Sequence, residues 1–290
     1  FWNVKMIMQN KYGEFYLKEV IIILSHAGWL AGFGGLVEDL KNREVMCTAM
    51  LAEEEYSVKE NALYITDHAV TLQDIAEKNL PVAVYLHEDN KEEPLAAARY
   101  AFEEPRSLDA VYAERVYRRC KDIPWDILET ERCFLRETVP EDVDAFYEIY
   151  SAPEMTRYTE DLYESKISER AYIREYVEKV YHYFEFGIWT VVLKETGEII
   201  GRAGLNVREG YDMPELGYVI GKPWQGKGIA TEVCSGVLKY AAGEFGFEKV
   251  MTLIQEENKA SLQVAKKLGF QVQEELTEKG VKHLLMIRED

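Results

Sequence analysis

The chain has 290 residues, with 34 Lys+Arg against 52 Asp+Glu and a formal net charge of −18. At roughly 150 residues per domain, this length predicts two domains, and 47% hydrophobic with 30% charged residues is a globular profile with core enough to fold. Nucleic-acid binding leans on Lys and Arg against phosphate, so a chain this acidic is a poor general binder of DNA or RNA and better suits an amine-bearing partner.

In chain order, the run Val20-Ile21-Ile22-Ile23-Leu24 is a strand, or part of a helix continuing through Leu30 and Leu36. It is too short to span a bilayer, which takes about 20 residues, so no membrane association is expected. Residues 44–51 and 62–66 read as strands, 71–78 as a helix, 81–86 as a buried strand and 107–121 as a helix. The alternation predicts parallel βαβ units and a Rossmann-like α/β module. Ile123-Pro124-Trp125 breaks the pattern, and the spacing places a boundary near 130, dividing the chain into domains 1–130 and 131–290. Residues 1–130 hold 14 basic and 23 acidic residues, and 131–290 hold 20 and 29, so each part carries −9. Cys47, Cys120, Cys133 and Cys234 form no CxxC pair, which predicts reduced thiols in a cytoplasmic protein and no metal site.

In the second part, 132–137 reads as a strand, 140–150 as a helix with Pro140 in its first turn, and 168–186 as a long Tyr-rich helix. Strands at 188–194 and 198–206 flank a Thr196-Gly197 turn, and 215–220 is a further strand. A helix runs from the 225–231 segment to about Gly243, followed by a strand at 249–254, a helix at 260–268 and closing strands at 271–275 and 281–288.

Gln225-Gly226-Lys227-Gly228-Ile229-Ala230-Thr231 joins a strand end, a glycine turn and a helix start. Unpaired N–H groups and the positive helix end attract an anion, and glycines let the backbone approach it closely. It is not a P-loop, because Gly228 rather than Ser or Thr follows Lys227; nor is it a dinucleotide fingerprint, which needs glycine at Thr231. A plain glycine turn before a helix is the alternative from this segment alone.

The segment resembles the Q/R-x-x-G-x-G/A signature of the GNAT superfamily of acyl-CoA-dependent N-acetyltransferases. Glu215-Leu216-Gly217-Tyr218-Val219-Ile220 resembles the strand before it, and Asn258-Lys259-Ala260-Ser261 with Lys267-Leu268-Gly269-Phe270 the N-x-x-S…K-L-G-F element after it. Phe134-Leu135-Arg136 is similar to the first strand and residues 201–205 to the third, so the resemblance covers about 131–288 and is most like the RimJ/RimL branch, which acetylates ribosomal-protein N-termini.

The resemblance implies a mixed, mostly antiparallel sheet, with acetyl-CoA in a split between strands 215–220 and 249–254. It implies backbone contacts from Gly226, Gly228, Ile229, Ala230 and Thr231 to the pyrophosphate, beside Val219, Ile220 and Gln225. Lys227 would add charge at the rim or stand solvated, and Asn258 would bond the pantetheine arm or cap the following helix. The oxyanion donor would be a backbone N–H near Val219. The tyrosine acid of many members falls at Ala265 and is missing; Ser261, one turn earlier, would donate a proton or position the sulfur, or else only pack. Glu215 is the candidate general base, directly or through water, if burial raises its basicity; an ordinary strand carboxylate is the alternative. Residues 155–165 and the helix after them, with Arg157, Tyr158, Tyr163, Trp189 and Asn206, are candidates for lining the acceptor site or for packing. Glu154, Glu160 and Asp161 nearby favour a cationic amine: a protein N-terminus, a polyamine or an aminoglycoside. A CoA-binding sensor without turnover is the non-enzymatic alternative.

Leu63-Tyr64-Ile65-Thr66-Asp67 followed by Leu80-Pro81-Val82-Ala83-Val84 resembles the late part of a haloacid-dehalogenase-like Rossmannoid domain, with Asp67 and Asp74 at its late acidic positions. The earlier D-x-D-x-[TV] strand that would supply its nucleophile does not occur in residues 1–66. The first domain is therefore expected to be non-catalytic, serving acceptor recognition or scaffolding.

Overall fold

The computed structural model describes residues 15–95 and 97–289. They fall into two compact units that divide between Trp125 and Asp126.

In the first unit, β1 (Glu19–Leu24), β2 (Met46–Leu51), β3 (Ala62–Thr66), β4 (Val82–Tyr85) and β5 (Tyr100–Phe102) form a parallel sheet in the order β2-β1-β3-β4-β5. β1 is buried along its whole length, as a Val/Ile run covered on both faces should be. The strand alternative for residues 20–24 therefore holds, and of the helical positions beyond it Leu30 lies in a 3-10 helix (Ala27–Phe33) and Leu36 in α1 (Gly34–Asn42). α2 (Ala69–Glu77) and α3 (Ala110–Cys120) complete the unit. Val20, Ile22, Leu63 and Ile65 pack with Leu36, Leu40, Val116 and Tyr117 of α1 and α3. Ile21, Ile23 and Tyr64 pack with Leu72 and Ile75 of α2. Alternate residues of each strand thus feed two cores. Glu114 of α3 has no exposure; it accepts the Tyr16 and Leu17 N–H groups, each at 2.9 Å, and pairs with Arg118 at 2.6 Å.

The second unit is an eight-stranded sheet in the order β12-β13-β11-β10-β9-β8-β7-β6. Its strands are β6 (Asp126–Glu129), β7 (Cys133–Arg136), β8 (Ile188–Leu193), β9 (Ile199–Asn206), β10 (Glu215–Ile220), β11 (Lys249–Gln255), β12 (Gln271–Glu278) and β13 (Val281–Glu289). All pairings are antiparallel except β10 with β11. β6 is the reason the division falls at 125/126 rather than near 130: its residues pair with β7. The helices are α4 (Val143–Tyr150), α5 (Lys166–Tyr176), α6 (Ile229–Phe245) and α7 (Lys259–Lys267).

The continuous helix expected over 168–186 is instead α5, a π-helical stretch at Val177–Tyr181 and a short turn at His182–Phe184. The five-residue spacing serves both Tyr176 and Tyr181, whose hydroxyls bond the N–H (2.8 Å) and carbonyl (2.6 Å) of Ile188. No described helix is long and apolar enough to cross a membrane.

Candidate active site

β10 and β11 share one register pair, Glu215 with Met251. Thr252 Oγ1 donates to the Leu216 carbonyl at 3.2 Å and Met251 N to the Pro214 carbonyl at 2.9 Å. Beyond these bonds the two strands share no further ladder among the described residues, so the sheet splits toward Ile220 and Gln255.

The 225–231 loop follows the open end of β10. Gly226 and Gly228 have φ of +72° and +80°, a conformation that side chains with a Cβ rarely adopt. A Cβ at Gly226 would meet nothing within 4 Å; the glycine is there for backbone shape and leaves its outer side open. Gly228 is the N-cap of the 17-residue α6 and offers no side-chain acceptor to the first-turn N–H groups. Those donors and the helix dipole therefore face the loop. Gln225 holds the loop in place by donating to the Ile220 carbonyl at 2.8 Å and lying 3.4 Å from Met155 Sδ. The side chains of Ile220 and Ile229 are buried, so only their backbone can face a ligand, and Ala230 and Thr231 extend the same first turn.

Beside this loop lies a cavity of about 430 Å³ whose lining includes Arg132, Lys194, Trp224, Lys227 and Ile229. Lys227 Nζ stands 4.7 Å from the Trp224 ring centroid. Arg132 donates to the Lys227 carbonyl at 2.9 Å and pairs with Glu232 at 2.6 Å. Burial pushes Glu232 up, but hydrogen bonds from the Arg132 N–H, Thr130 and the Arg132 guanidinium hold it below its usual range. Lys194 pairs with Glu129 at 2.7 Å, and Glu131 and Glu195 also line the cavity, so it is the uncapped N–H groups, with Lys227 and the indole beside them, that fit a phosphorylated nucleotide. Lys227 belonged to the sequence motif. Trp224 stands immediately before the motif, whereas Arg132 and Lys194 come from two other segments and no local pattern marked them.

On the opposite lip of the split, Asn258 caps α7, its Oδ1 accepting from Ser261 N at 3.1 Å. The Tyr218 hydroxyl donates to Ser261 Oγ at 3.2 Å. Burial pushes the Tyr218 phenol up to about 12, against a smaller lowering by the Ser261 bond, so it is a protonated donor across the neutral range. Ala265 is 4% exposed and packs. Tyr218 is the residue that sequence reasoning missed; period-2 alternation puts it on the face of β10 opposite Val219, toward α7.

Glu215 does not stand alone. Arg208 donates to its Oε2 at 3.2 Å and forks onto Glu278 at 2.8 and 2.7 Å. Of the acceptor candidates, Trp189 has no exposure and its ring meets Tyr240 edge-on at 5.6 Å, so it packs and does not line a site. Tyr158 bonds the Glu257 carbonyl at 3.3 Å and Arg157 pairs with Glu257 at 3.5 Å, which brings the 155–165 segment to the α7 lip. Glu154 pairs with Lys222, and the Tyr163 carbonyl accepts from Tyr147. Asn206 lies opposite Glu215 in the β9–β10 register. Among the described residues there is no group of three or more His, Cys, Asp or Glu that could hold a metal ion.

Comparison with known proteins agrees with this geometry. The acetyltransferase (GNAT) domain family matches residues 132–271. An uncharacterized N-acetyltransferase, YoaA of Bacillus subtilis, is 30% identical over 153 residues, covering 50% of this chain and 82% of that protein. The [ribosomal protein uS5]-alanine N-acetyltransferase of Escherichia coli is 32% identical over 90 residues, 30% of this chain and 45% of its own. The solved structure of RimL, a ribosomal L7/L12 alpha-N-protein acetyltransferase, shares the fold with a TM-score of 0.50 at 15% identity, over 58% of this chain and 95% of that one.

Proposed function

The chain belongs to the GNAT family of N-acetyltransferases, and from that premise we propose that it transfers the acetyl group of acetyl-CoA to a primary amine, with a protein N-terminus as the favoured acceptor. The observation that carries the reading is the loop at Gly226 and Gly228, whose left-handed glycines and uncapped helix start lie beside a cavity lined by Lys227 and the Trp224 indole. The pyrophosphate sits on the N–H groups of 226–231, and the nucleotide end lies toward Arg132, Lys194 and Trp224. The pantetheine enters the split between β10 and β11 past Asn258.

The amine nitrogen attacks the thioester carbon, and a backbone N–H near Val219 stabilises the oxyanion. The amine proton leaves to Glu215 through water, with Arg208 fixing that carboxylate. As the C–S bond breaks, Ser261 Oγ–H gives its proton to the sulfur and takes the Tyr218 phenolic proton along their hydrogen bond, the Tyr218 oxygen being reprotonated from solvent. Tyr218 already donates to Ser261, which frees the serine's own hydrogen to point away toward the split. A thioester is activated, so positioning supplies much of the rate. The relatives named for ribosomal-protein acetylation favour the peptide acceptor over a polyamine or aminoglycoside. Acetyl-CoA is expected to raise the melting temperature of the protein, and Gly228→Glu to abolish the rise, because its side chain strains the φ of +80° and brings a carboxylate to the anion site. No rise with the unmutated chain would overturn the cofactor assignment. Initial rates on an Ala- or Ser-started peptide, spermidine and an aminoglycoside separate the acceptors; preference for either small amine would contradict the peptide reading.

A further inference from the structure

The first unit holds a second cavity, of about 290 Å³, lined by Ser25, His26, Trp29, His87, Asp89, Asn90 and Glu93. Its position follows from the sheet order. From β1 the chain passes to β2 on one side and then to β3, β4 and β5 on the other. In open parallel sheets the crevice at such a reversal, beyond the carboxyl ends of the strands, is where ligands bind. Ser25 follows β1, Asp67 follows β3 and His87 follows β4, so all three stand at that edge.

The floor is a buried polar network. Asp67 is 1% exposed; it accepts from Ser25 N at 2.6 Å, Ser25 Oγ at 2.7 Å and His87 Nε2 at 3.1 Å. Asn90, 2% exposed, donates to the Asp67 and Tyr85 carbonyls at 3.0 and 2.9 Å. The cap of α2 is His68, so Asp67 is not needed there. Burying a carboxylate is costly unless its bonds are made, and here they hold three strand ends in fixed register. His87 Nδ1 accepts from Asp89 N at 3.3 Å. With both ring nitrogens engaged, the imidazole offers no lone pair to a metal. Its ring stacks on Trp29 at 4.6 Å, which leaves the cavity an aromatic wall.

The charge of the lining selects the ligand. It contains no Lys or Arg, while Asp89 and Glu93 supply carboxylates. One Glu93 oxygen accepts from Ala69 N at 3.2 Å, and the other remains. A phosphate finds no cation here. An ammonium group finds two carboxylates and ring surfaces that suit cations. A volume of about 290 Å³ is at the small end of ligand pockets. We propose that this crevice in the first unit binds a small primary ammonium compound with an apolar body, at a site separate from the acetyl-transfer residues.

The test is calorimetric titration of the full chain with phenethylamine, its neutral analogue 2-phenylethanol and the anion 3-phenylpropionate, in the unmutated protein and in Asp89→Asn/Glu93→Gln. The pair removes charge, keeps shape and leaves the Ala69 contact an oxygen acceptor. The expected result is saturable binding of phenethylamine alone, weakened about tenfold in the pair, with the acetyl-CoA melting shift retained. Absence of saturable binding, equal binding of the alcohol or the anion, or an affinity unchanged in the pair would overturn the proposal. If the pair unfolds, Asp89→Asn alone, at an exposed position, repeats the test with an expected twofold to fivefold loss, about what one partly exposed charge contributes.

Discussion

Tyr218 and Ser261 work as a pair across two elements, and their bond makes a definite kinetic prediction. The hydroxyl of Tyr218 donates to Ser261 and, with burial pushing it up to about 12, does not ionise in the working range. Tyr218→Phe keeps the ring and removes the donor. It is expected to lower kcat by about a hundredfold, the lower end of what a positioned proton donor contributes, with the KM for acetyl-CoA unchanged. Ser261→Ala should do the same, and the double variant should be no worse than either single. Additive losses in steady-state rates would show that the two residues act separately. Tyr218 escaped sequence reasoning because the family's acid is sought on α7, where Ala265 stands; here a tyrosine on β10 reaches Ser261 from the facing strand.

At the scale of elements, α3 illustrates how buried charge fixes a helix. Glu114 answers two backbone N–H groups and Arg118 without exposure. Glu114→Ala removes the carboxylate partner of a buried guanidinium and the acceptor of the Tyr16 and Leu17 N–H groups, and is expected to cost about 3–5 kcal/mol in urea unfolding; a loss under 1 kcal/mol would contradict this account. The strongly periodic or apolar elements were legible: β3 at 62–66 and β10 at 215–220 lie where the pattern put them. β6 was not, since Asp126-Ile127-Leu128-Glu129 is four residues with only two buried, too short for a period to show. The π turn at Val177–Tyr181 was not legible either, because the partner of Tyr181 and Tyr176, the Ile188 peptide, lies outside the helix, 7 and 12 residues further on. The site divides in the same way. The glycine loop and Asn258-to-Ser261 are contiguous and could be read, whereas Arg132 and Lys194 reach the loop only in the folded sheet, and the Arg208–Glu278 clasp on Glu215 likewise forms only there.

For the whole molecule, the excess acidity is uninformative about the proposed anion site, whose donors are backbone N–H groups that a charge count does not register. A different consequence of composition is the set of buried weak acids. Burial pushes the Cys47, Cys120 and Cys133 thiols up to about 11, and the Tyr176 and Tyr218 phenols to about 12. Below their unfolded values of 9.0 and 10.0, both states are protonated and these groups cost nothing. Above them the unfolded chain ionises first, so stability is lost as pH rises from about 9 to 12. The urea midpoint is expected to fall between about pH 8 and pH 10.5; a constant midpoint would show that these groups are not sealed from water.

The most direct test of the central claim measures CoA release and acetylated product together, with acetyl-CoA and an Ala- or Ser-started peptide, for the unmutated protein and Gly228→Glu. The account predicts one CoA thiol released per amine acetylated by the unmutated protein, and neither product from Gly228→Glu. Acetyl-CoA binding with no CoA released on the peptide, spermidine or an aminoglycoside would contradict it and leave a chain that binds acetyl-CoA without transferring the acetyl group.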